Sequence, residues 1–320
     1  MKIMSNYSAG YINLKKNIES YSQMIFHELN IKAQDIRFLD SSVNAIIVRF
    51  LANGKEFALK VPSNKRLLHE VFFINTLKQY GVQTLDLVHV DLDCKIIPHP
   101  FFIAEWIMLA DSFEGHYNDS VAYEGGVVYG TELTKVHVIP TNGYGLPLDI
   151  NGERWSAESM NGALKNFLHE NIFDLQANKT VSNKDLEAIY SLTVHNQKLN
   201  SKSFLLIGDI PNALMQISPS VKVLAFNDPS GILSGNPLYD LSSMYFYNEN
   251  ADIGTGFMKG FTHSWRHTMK VTPHVQFQFD CFRLFHLYWK TCFFNDHKWN
   301  YQKVGTMLAK HLEYIIKNYT

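Results

Sequence analysis

Apolar residues near the start of the chain recur at helical spacing. Ile18, Tyr21, Ile25 and Leu29 fall three or four apart, so residues 14 to 29 are expected to form a leading helix. The period then shortens. Residues 36 to 50 and 56 to 61 read as strands joined by Asn53-Gly54, a dipeptide suited to the positive φ angles of a tight hairpin. Residues 65 to 80 return to helical character and stop at Gly81. Short strands are expected at 89 to 91 and at 101 to 107, the latter written FFIAEWI. In residues 131 to 145, Leu133, Val136 and Ile139 share one helix face before a Gly-Tyr-Gly turn. Residues 182 to 200 and 250 to 320 are mostly helical in pattern and dense in aromatics, which at this spacing mark core. The most apolar late stretch, residues 275 to 294, carries Asp280, Arg283 and Lys290, so a buried amphipathic helix is expected there and not a membrane span.

The stretch that carries candidate chemistry runs from 204 to 244, FLLIGDIPNALMQISPSVKVLAFNDPSGILSGNPLYDLSSM. A short apolar strand delivers Asp209, and a tight turn brings Asn212. A second strand, residues 221 to 226, delivers Asp228, and a Gly/Pro-rich loop leads to Asp240 at the start of a helix. Two acids and an amide carbonyl at strand ends suit phosphoryl transfer. One carboxylate orients the attacking hydroxyl, while the other acid and the amide hold magnesium against the phosphates of ATP. Upstream, Lys60 ends the strand EFALKVP and Glu70 sits in the first half of the helix that follows. A strand lysine held by a helical glutamate aims an ammonium at the α- and β-phosphates. The order of these parts along the chain is more specific than any one of them.

Composition narrows the picture. A chain of 320 residues with 46% hydrophobic content is long enough for one large or two modest domains. A formal net charge of −1 argues against a general nucleic-acid binder. Three cysteines without paired spacing fit a reducing cytoplasm and offer no metal site. The N-terminal residues lack the apolar core of a signal peptide, so a soluble, cytoplasmic protein without a membrane partner is expected. Between 111 and 160 the acids Asp111, Glu114, Asp119, Glu124, Glu132, Asp149, Glu153 and Glu158 face only Lys135 and Arg154. Such a field would favour a cationic substrate; a solvated acidic face accounts for the same residues. The late histidines show no zinc-type pairing.

Taken together, Gly208-Asp209, Asn212 and Asp228 resemble the catalytic centre of aminoglycoside phosphotransferases and related small-molecule kinases, which share the protein-kinase fold. The family loop is written HGDxxxxN. Asp209 stands in the place of the catalytic base, Asn212 and Asp228 in the places of the metal ligands, and Asp240 in that of a structural aspartate closing the DPSGILSGNPLYDL segment. This chain departs from the pattern at Ile207, where the family usually has histidine, and in a loop to Asn212 that is two residues short. The resemblance places Ser41 and Ser42, in the segment LDSSVN, where a phosphate-covering loop sits; an ordinary polar hairpin turn reads equally well. It places Glu105, Trp106 and Ile107 at the hinge beside the adenine, and gives His137 a structural role.

The resemblance implies an α+β, bilobal protein-kinase-like fold. A small antiparallel N-terminal sheet, residues 1–107, would bind nucleotide, and a mainly helical C-terminal lobe, residues 108–320, would carry catalysis. The implied reaction moves the γ-phosphoryl of ATP, with Mg2+, to a hydroxyl of a small cationic molecule such as an aminoglycoside-like antibiotic or an amino alcohol. The expected protein is a monomer or homodimer. A pseudokinase that binds nucleotide or a partner without turnover, and a metabolite kinase for a choline-like alcohol or a sugar, are the alternatives. A protein kinase is disfavoured, because DPSG replaces the DFG-type sequence and no APE-type segment follows.

Overall fold

The computed structural model describes residues 9–39, 45–62, 67–107, 119–171, 181–208, 215–217, 223–226, 229–251, 255–268, 270–296 and 302–319. The chain forms two compact units, residues 1–74 with 84–108, and residues 75–83 with 109–320. The fold class is mixed α+β, with a small antiparallel sheet in the first unit and a mainly helical second unit.

The first unit opens with helix α1 (Ala9–Glu28), followed by strands β1 (Gln34–Leu39), β2 (Ala45–Ala52) and β3 (Lys55–Pro62). Helix α2 (Leu67–Gln79) comes next, its first part belonging to this unit, and then β4 (Leu87–Asp91) and β5 (Phe101–Glu105). The five strands form one sheet in the order β1-β2-β3-β5-β4, every pairing antiparallel. Strand β2 alternates as a half-buried strand must: Ile46, Val48, Phe50 and Ala52 are buried, while Ile47, Arg49 and Leu51 are less so. That buried row packs against Tyr11, Leu14, Ile18, Ile25 and Phe26 of α1, joined by Leu59, Val61, Phe101 and Ile103 from the neighbouring strands. The helix starts earlier than expected, at Ala9, because Tyr11 extends the same apolar stripe by a turn. The Asn53-Gly54 turn has φ of 51° and 75°, the two positive angles that a two-residue hairpin needs. On β3, Leu59 and Val61 face the α1 side, so strand alternation turns Lys60 to the opposite face.

The second unit contains helix α3 (Asp119–His137), strands β6 (Tyr144–Pro147) and β7 (Trp155–Ala157), and helices α4 (Met160–Asn171) and α5 (Asn183–Leu192). Four short strands follow: β8 (Phe204–Leu205), β9 (Met215–Ile217), β10 (Val223–Phe226) and β11 (Ser234–Gly235). Helices α6 (Leu238–Ala251), α7 (Thr255–Thr268), α8 (Pro273–Asp296) and α9 (Gln302–Tyr319) complete the chain. A four-stranded antiparallel sheet in the order β7-β6-β11-β8 brings β8 beside the segment that leads into α6, and β9 pairs with β10 as a hairpin. Helix α8 buries Phe282, Phe285 and Tyr288, and with them Asp280, His286 and Lys290. Among the described residues no helix is long and apolar enough to cross a membrane.

Helices α3 and α7 meet backbone to backbone. A Cβ at Gly126 would overlap the Phe257 carbonyl, and one at Gly260 would overlap the Tyr123 carbonyl. Close-packed interiors do not absorb such additions without moving backbone. Gly260→Val is therefore expected to lower the melting temperature, through a loss of about 1–3 kcal/mol. Gly305 in α9 is the control: its added Cβ would meet only Thr291 Cγ2 at 3.9 Å. Gly305→Ala should hold or gain up to about 1 kcal/mol from helix propensity. Thermal unfolding of the two variants checks both signs.

Candidate active site

The candidate catalytic segment is anchored by a buried carboxylate. Asp240 lies in the first turn of α6 and is fully buried. Its Oδ2 accepts a hydrogen bond from the backbone N–H of Ile207 at 2.7 Å, and its Oδ1 accepts one from that of Gly208 at 2.9 Å. His137 Nε2, at the end of α3, stands 3.0 Å from Oδ2. Burial pushes the Asp240 carboxyl above the usual carboxylate range, while His137 and then the two backbone N–H groups pull it back. The helix N-terminus adds a positive partial charge on the same side. One side chain thus joins α3, α6 and the chain leaving β8.

Gly208 takes φ of +95° and forms a parallel bridge with Ser230. Any Cβ there would collide with the Ser230 carbonyl, so only glycine fits. The Ser230 N–H donates to the Ile207 carbonyl at 3.1 Å, and the Leu206 N–H donates to that of Leu233 at 2.9 Å. Asp209 follows Gly208 by one residue and Asp228 precedes Ser230 by two, so the chains carrying the two acids leave from one pairing. Asp209, Asn212 and Asp228 themselves lie outside the described residues, as do Ser41 and Ser42. Ile207 is fully buried, with its side chain in the core.

In the first unit the structure brings Lys60 and Glu70 together. Lys60 Nζ lies 2.9 Å from Glu70 Oε1 and 2.8 Å from Oε2, a two-pronged pair. The side chains are only 13% and 9% exposed. Lys60 sits on the central strand β3, opposite Ile47 of β2 and Phe102 of β5, so its backbone is paired on both sides.

The end of β5 is held differently. The Glu105 N–H donates to the Asp86 carbonyl at 3.0 Å and the Trp106 N–H to that of Glu56 at 2.9 Å. The Glu105 carboxylate pairs with Lys55 at 2.7 Å, and the Arg49 guanidinium lies 5.0 Å from the Trp106 ring centre. Two of the three N–H groups of residues 105–107 are therefore already engaged by neighbouring carbonyls.

No protein-family model and no curated protein sequence matches the chain. Solved structures do match it. Aminoglycoside phosphotransferase APH(4)-Ia superposes with a TM-score of 0.65 at 10% identity, covering 95% of this chain and 99% of its own. A putative aminoglycoside phosphotransferase from Ralstonia eutropha JMP134 gives 0.66 at 12% identity, over 93% and 98% of the two chains. Macrolide 2'-phosphotransferase type I gives 0.58 at 12% identity, over 94% and 97%. The fold is that of the aminoglycoside phosphotransferases.

His137 has the structural role expected of it, and its partner, Asp240, is supplied by the fold. The chain spacing of 103 residues between them left no local signal. The acidic run is partly taken up locally: Glu132 pairs with Lys135 at 2.6 Å, and Asp149 accepts from the backbone N–H groups of Asn151, Glu153 and Arg154. Glu124, Glu153 and Glu158 stay exposed, while Asp111 and Glu114 lie outside the described residues. Among the described residues there is no cluster of three or more His, Cys, Asp or Glu that could hold a metal.

Removing the Asp240 carboxylate would leave two N–H groups buried without acceptors, at about 1–3 kcal/mol each. Asp240→Ala is expected to lower the melting temperature sharply, and His137→Ala less so because it removes only one donor. An Asp240→Ala protein that melts like the wild type would refute the anchoring role.

Proposed function

We propose that the chain is an ATP-dependent phosphotransferase that moves the γ-phosphoryl group to a hydroxyl of a small cationic molecule. The observation that carries this reading is the buried Lys60–Glu70 pair. Burying two ions costs several kcal/mol each, and a buried pair rarely repays more than a hydrophobic substitute would. Stability is thus a poor reason for placing an ammonium on a central strand, whereas a phosphate to be neutralised is a good one. The solved relative APH(4)-Ia has been captured with ADP and hygromycin B and with AMP-PNP and hygromycin B, which supports a nucleotide and a small-molecule acceptor for this fold.

In this reading residues 1–107 bind nucleotide, and residues 108–320 carry catalysis and bind the acceptor. Lys60, oriented by Glu70, neutralises phosphate charge. Ser41 and Ser42 cover the phosphates. Because the Glu105 and Trp106 N–H groups are taken by Asp86 and Glu56, recognition of the base by an N–H donor falls to Ile107, with Glu105 and Trp106 supplying carbonyl and packing contacts. Asp209 orients the acceptor hydroxyl and takes its proton. Asp228, with Asn212, would hold magnesium, which would supply charge neutralisation to the nucleotide phosphates. Antibiotic resistance is one biological setting for such a reaction, and the cytoplasm, where ATP is found, is its compartment.

A second reading, a nucleotide-binding protein without turnover, is favoured by Ile207 in the place of the usual histidine and by the short spacing from Asp209 to Asn212. Steady-state ADP release with a panel of amino alcohols, sugars and aminoglycosides separates the two. Asp209→Ala is expected to abolish acceptor-dependent ADP release with ATP affinity nearly unchanged. Lys60→Ala should weaken ATP binding at least tenfold. Undiminished release in Asp209→Ala would overturn the proposed base.

A further inference from the structure

Helix α8 carries a histidine in the middle of an aromatic stretch. His286 has no exposed surface, and Phe282, Phe285 and Trp289 near it on the helix are buried as well. Both of its ring nitrogens are engaged. Trp289 Nε1, one turn further along α8, donates to His286 Nδ1 at 3.2 Å. An indole N–H can only donate, so Nδ1 is the unprotonated nitrogen and the neutral imidazole carries its proton on Nε2. That proton is donated to the backbone carbonyl of Tyr239 at 2.9 Å. The two bonds together fix the tautomer and the plane of the ring. The Lys290 ammonium lies 4.0 Å from the centre of the Trp289 ring and steadies the indole by cation–π attraction.

Tyr239 precedes Asp240, and its carbonyl belongs to the planar peptide unit that contains the Asp240 nitrogen and Cα. A bond to that carbonyl therefore orients the peptide from which the Asp240 side chain departs. The Ser242 hydroxyl also donates to the carbonyl, at 2.7 Å, but Ser242 lies on α6 itself and moves with it. His286 belongs to another helix, so its bond ties the start of α6 to α8. The rings of Tyr239 and His286 also meet, 4.3 Å between centres. Asp240 in turn accepts from the N–H groups of Ile207 and Gly208, the two residues that precede Asp209. The path from α8 to the proposed base thus runs through the Tyr239 carbonyl, the Asp240 carboxylate and the Gly208 backbone. Stability alone would be served as well by an apolar side chain of similar size, because burying an imidazole costs its hydration.

We propose that His286 is a positioning residue for the phosphoryl transfer, holding the Tyr239–Asp240 peptide and, through the Asp240 carboxylate, the backbone immediately ahead of Asp209. The inference rests on the phosphotransferase reading for its bearing on turnover; the link itself stands without it. His286 touches no reacting group and has no part in the proton transfer assigned to Asp209. It sets the direction in which the Asp240 carboxylate meets its two N–H donors. His137 grips the same carboxylate from α3, so Asp240 is held by its side chain from one helix and by its preceding carbonyl from another. Loosening this hold displaces the base from the acceptor hydroxyl, and small displacements of a catalytic group are costly in rate. Nucleotide binding does not depend on it, so the loss falls on kcat and not on the KM for ATP.

Amide hydrogen exchange and steady-state turnover of the full chain test the proposal, together with the imidazole nitrogen spectrum of the wild type. That spectrum should show His286 as a neutral imidazole with its proton on Nε2. In His286→Leu the Ile207 and Gly208 amides should exchange about tenfold faster or more, while those of Leu164 in α4 and Leu312 in α9 keep their rates. His286→Gln, whose amide nitrogen can reach the place of Nε2, should restore most of the protection. With an acceptor that the wild type phosphorylates, kcat should fall about tenfold or more in His286→Leu at unchanged KM for ATP, and recover in His286→Gln. The opposite tautomer in the wild type, unchanged exchange at Ile207 and Gly208, an equal rise at all four amides, no recovery in His286→Gln, or an undiminished kcat would each overturn the proposal. If His286→Leu fails to fold, Trp289→Phe takes its place: loss of the indole donor should free the ring and loosen the same two amides, and unchanged exchange there would overturn the link. If neither variant folds, the wild-type tautomer decides. Selective loosening in a protein that turns over no acceptor would leave the link standing and remove the phosphotransferase reading; turnover with unchanged exchange would remove this inference alone.

Discussion

The second unit is organised around one buried negative charge. Asp240 has to be desolvated to reach its place, and the structure compensates it with two backbone N–H groups, a histidine and the end of a helix. Each donor is also a positional constraint. The N–H groups of Ile207 and Gly208 can both reach the carboxylate only if the chain after β8 enters its turn in one conformation. Gly208 then has to accept a positive φ and the close approach of the Ser230 carbonyl. The electrostatic requirement of Asp240 and the steric requirement of Gly208 act on neighbouring peptide groups, and together they fix where the chain stands one residue before Asp209.

The first unit solves a different problem with the same economy of parts. Its α1-facing side is a hydrophobic core built on strand alternation, which leaves the opposite face of β3 available for a charged residue. Lys60 takes that place and α2 supplies Glu70, so the ammonium is held on a central strand paired on both sides. A lysine at a sheet edge would sample many rotamers. Here two short contacts to one carboxylate, and burial of both partners, limit that freedom before any ligand arrives.

Much of this was legible in the sequence because it is written in local periods and in chemically narrow residues. The strand character of β2, the Asn53-Gly54 hairpin and the helical character of α2 are visible in a window of a few residues. Gly208, Asp240 and the pair Lys60 and Glu70 are legible through their order along the chain, which is more specific than any one of them. What stayed hidden depends on pairing across long stretches of chain. The partners of the Glu105 and Trp106 N–H groups are carbonyls of Asp86 and Glu56, set by sheet order and not by neighbouring sequence. The link from His137 to Asp240 spans the whole middle of the chain. Trp265 and Phe279 were visible as helical aromatics, yet which of many aromatics face a cavity follows only from the packing of four helices.

The proposed reaction stands or falls on magnesium-dependent binding of ATP, for which Asp228 is the proposed metal ligand. Calorimetric titration of ATP, with and without magnesium, on the wild type and on Asp228→Ala tests it most directly. The account predicts binding that requires magnesium in the wild type and is lost in Asp228→Ala. Absence of ATP binding in the wild type, or magnesium-dependent binding that survives in Asp228→Ala, would contradict it.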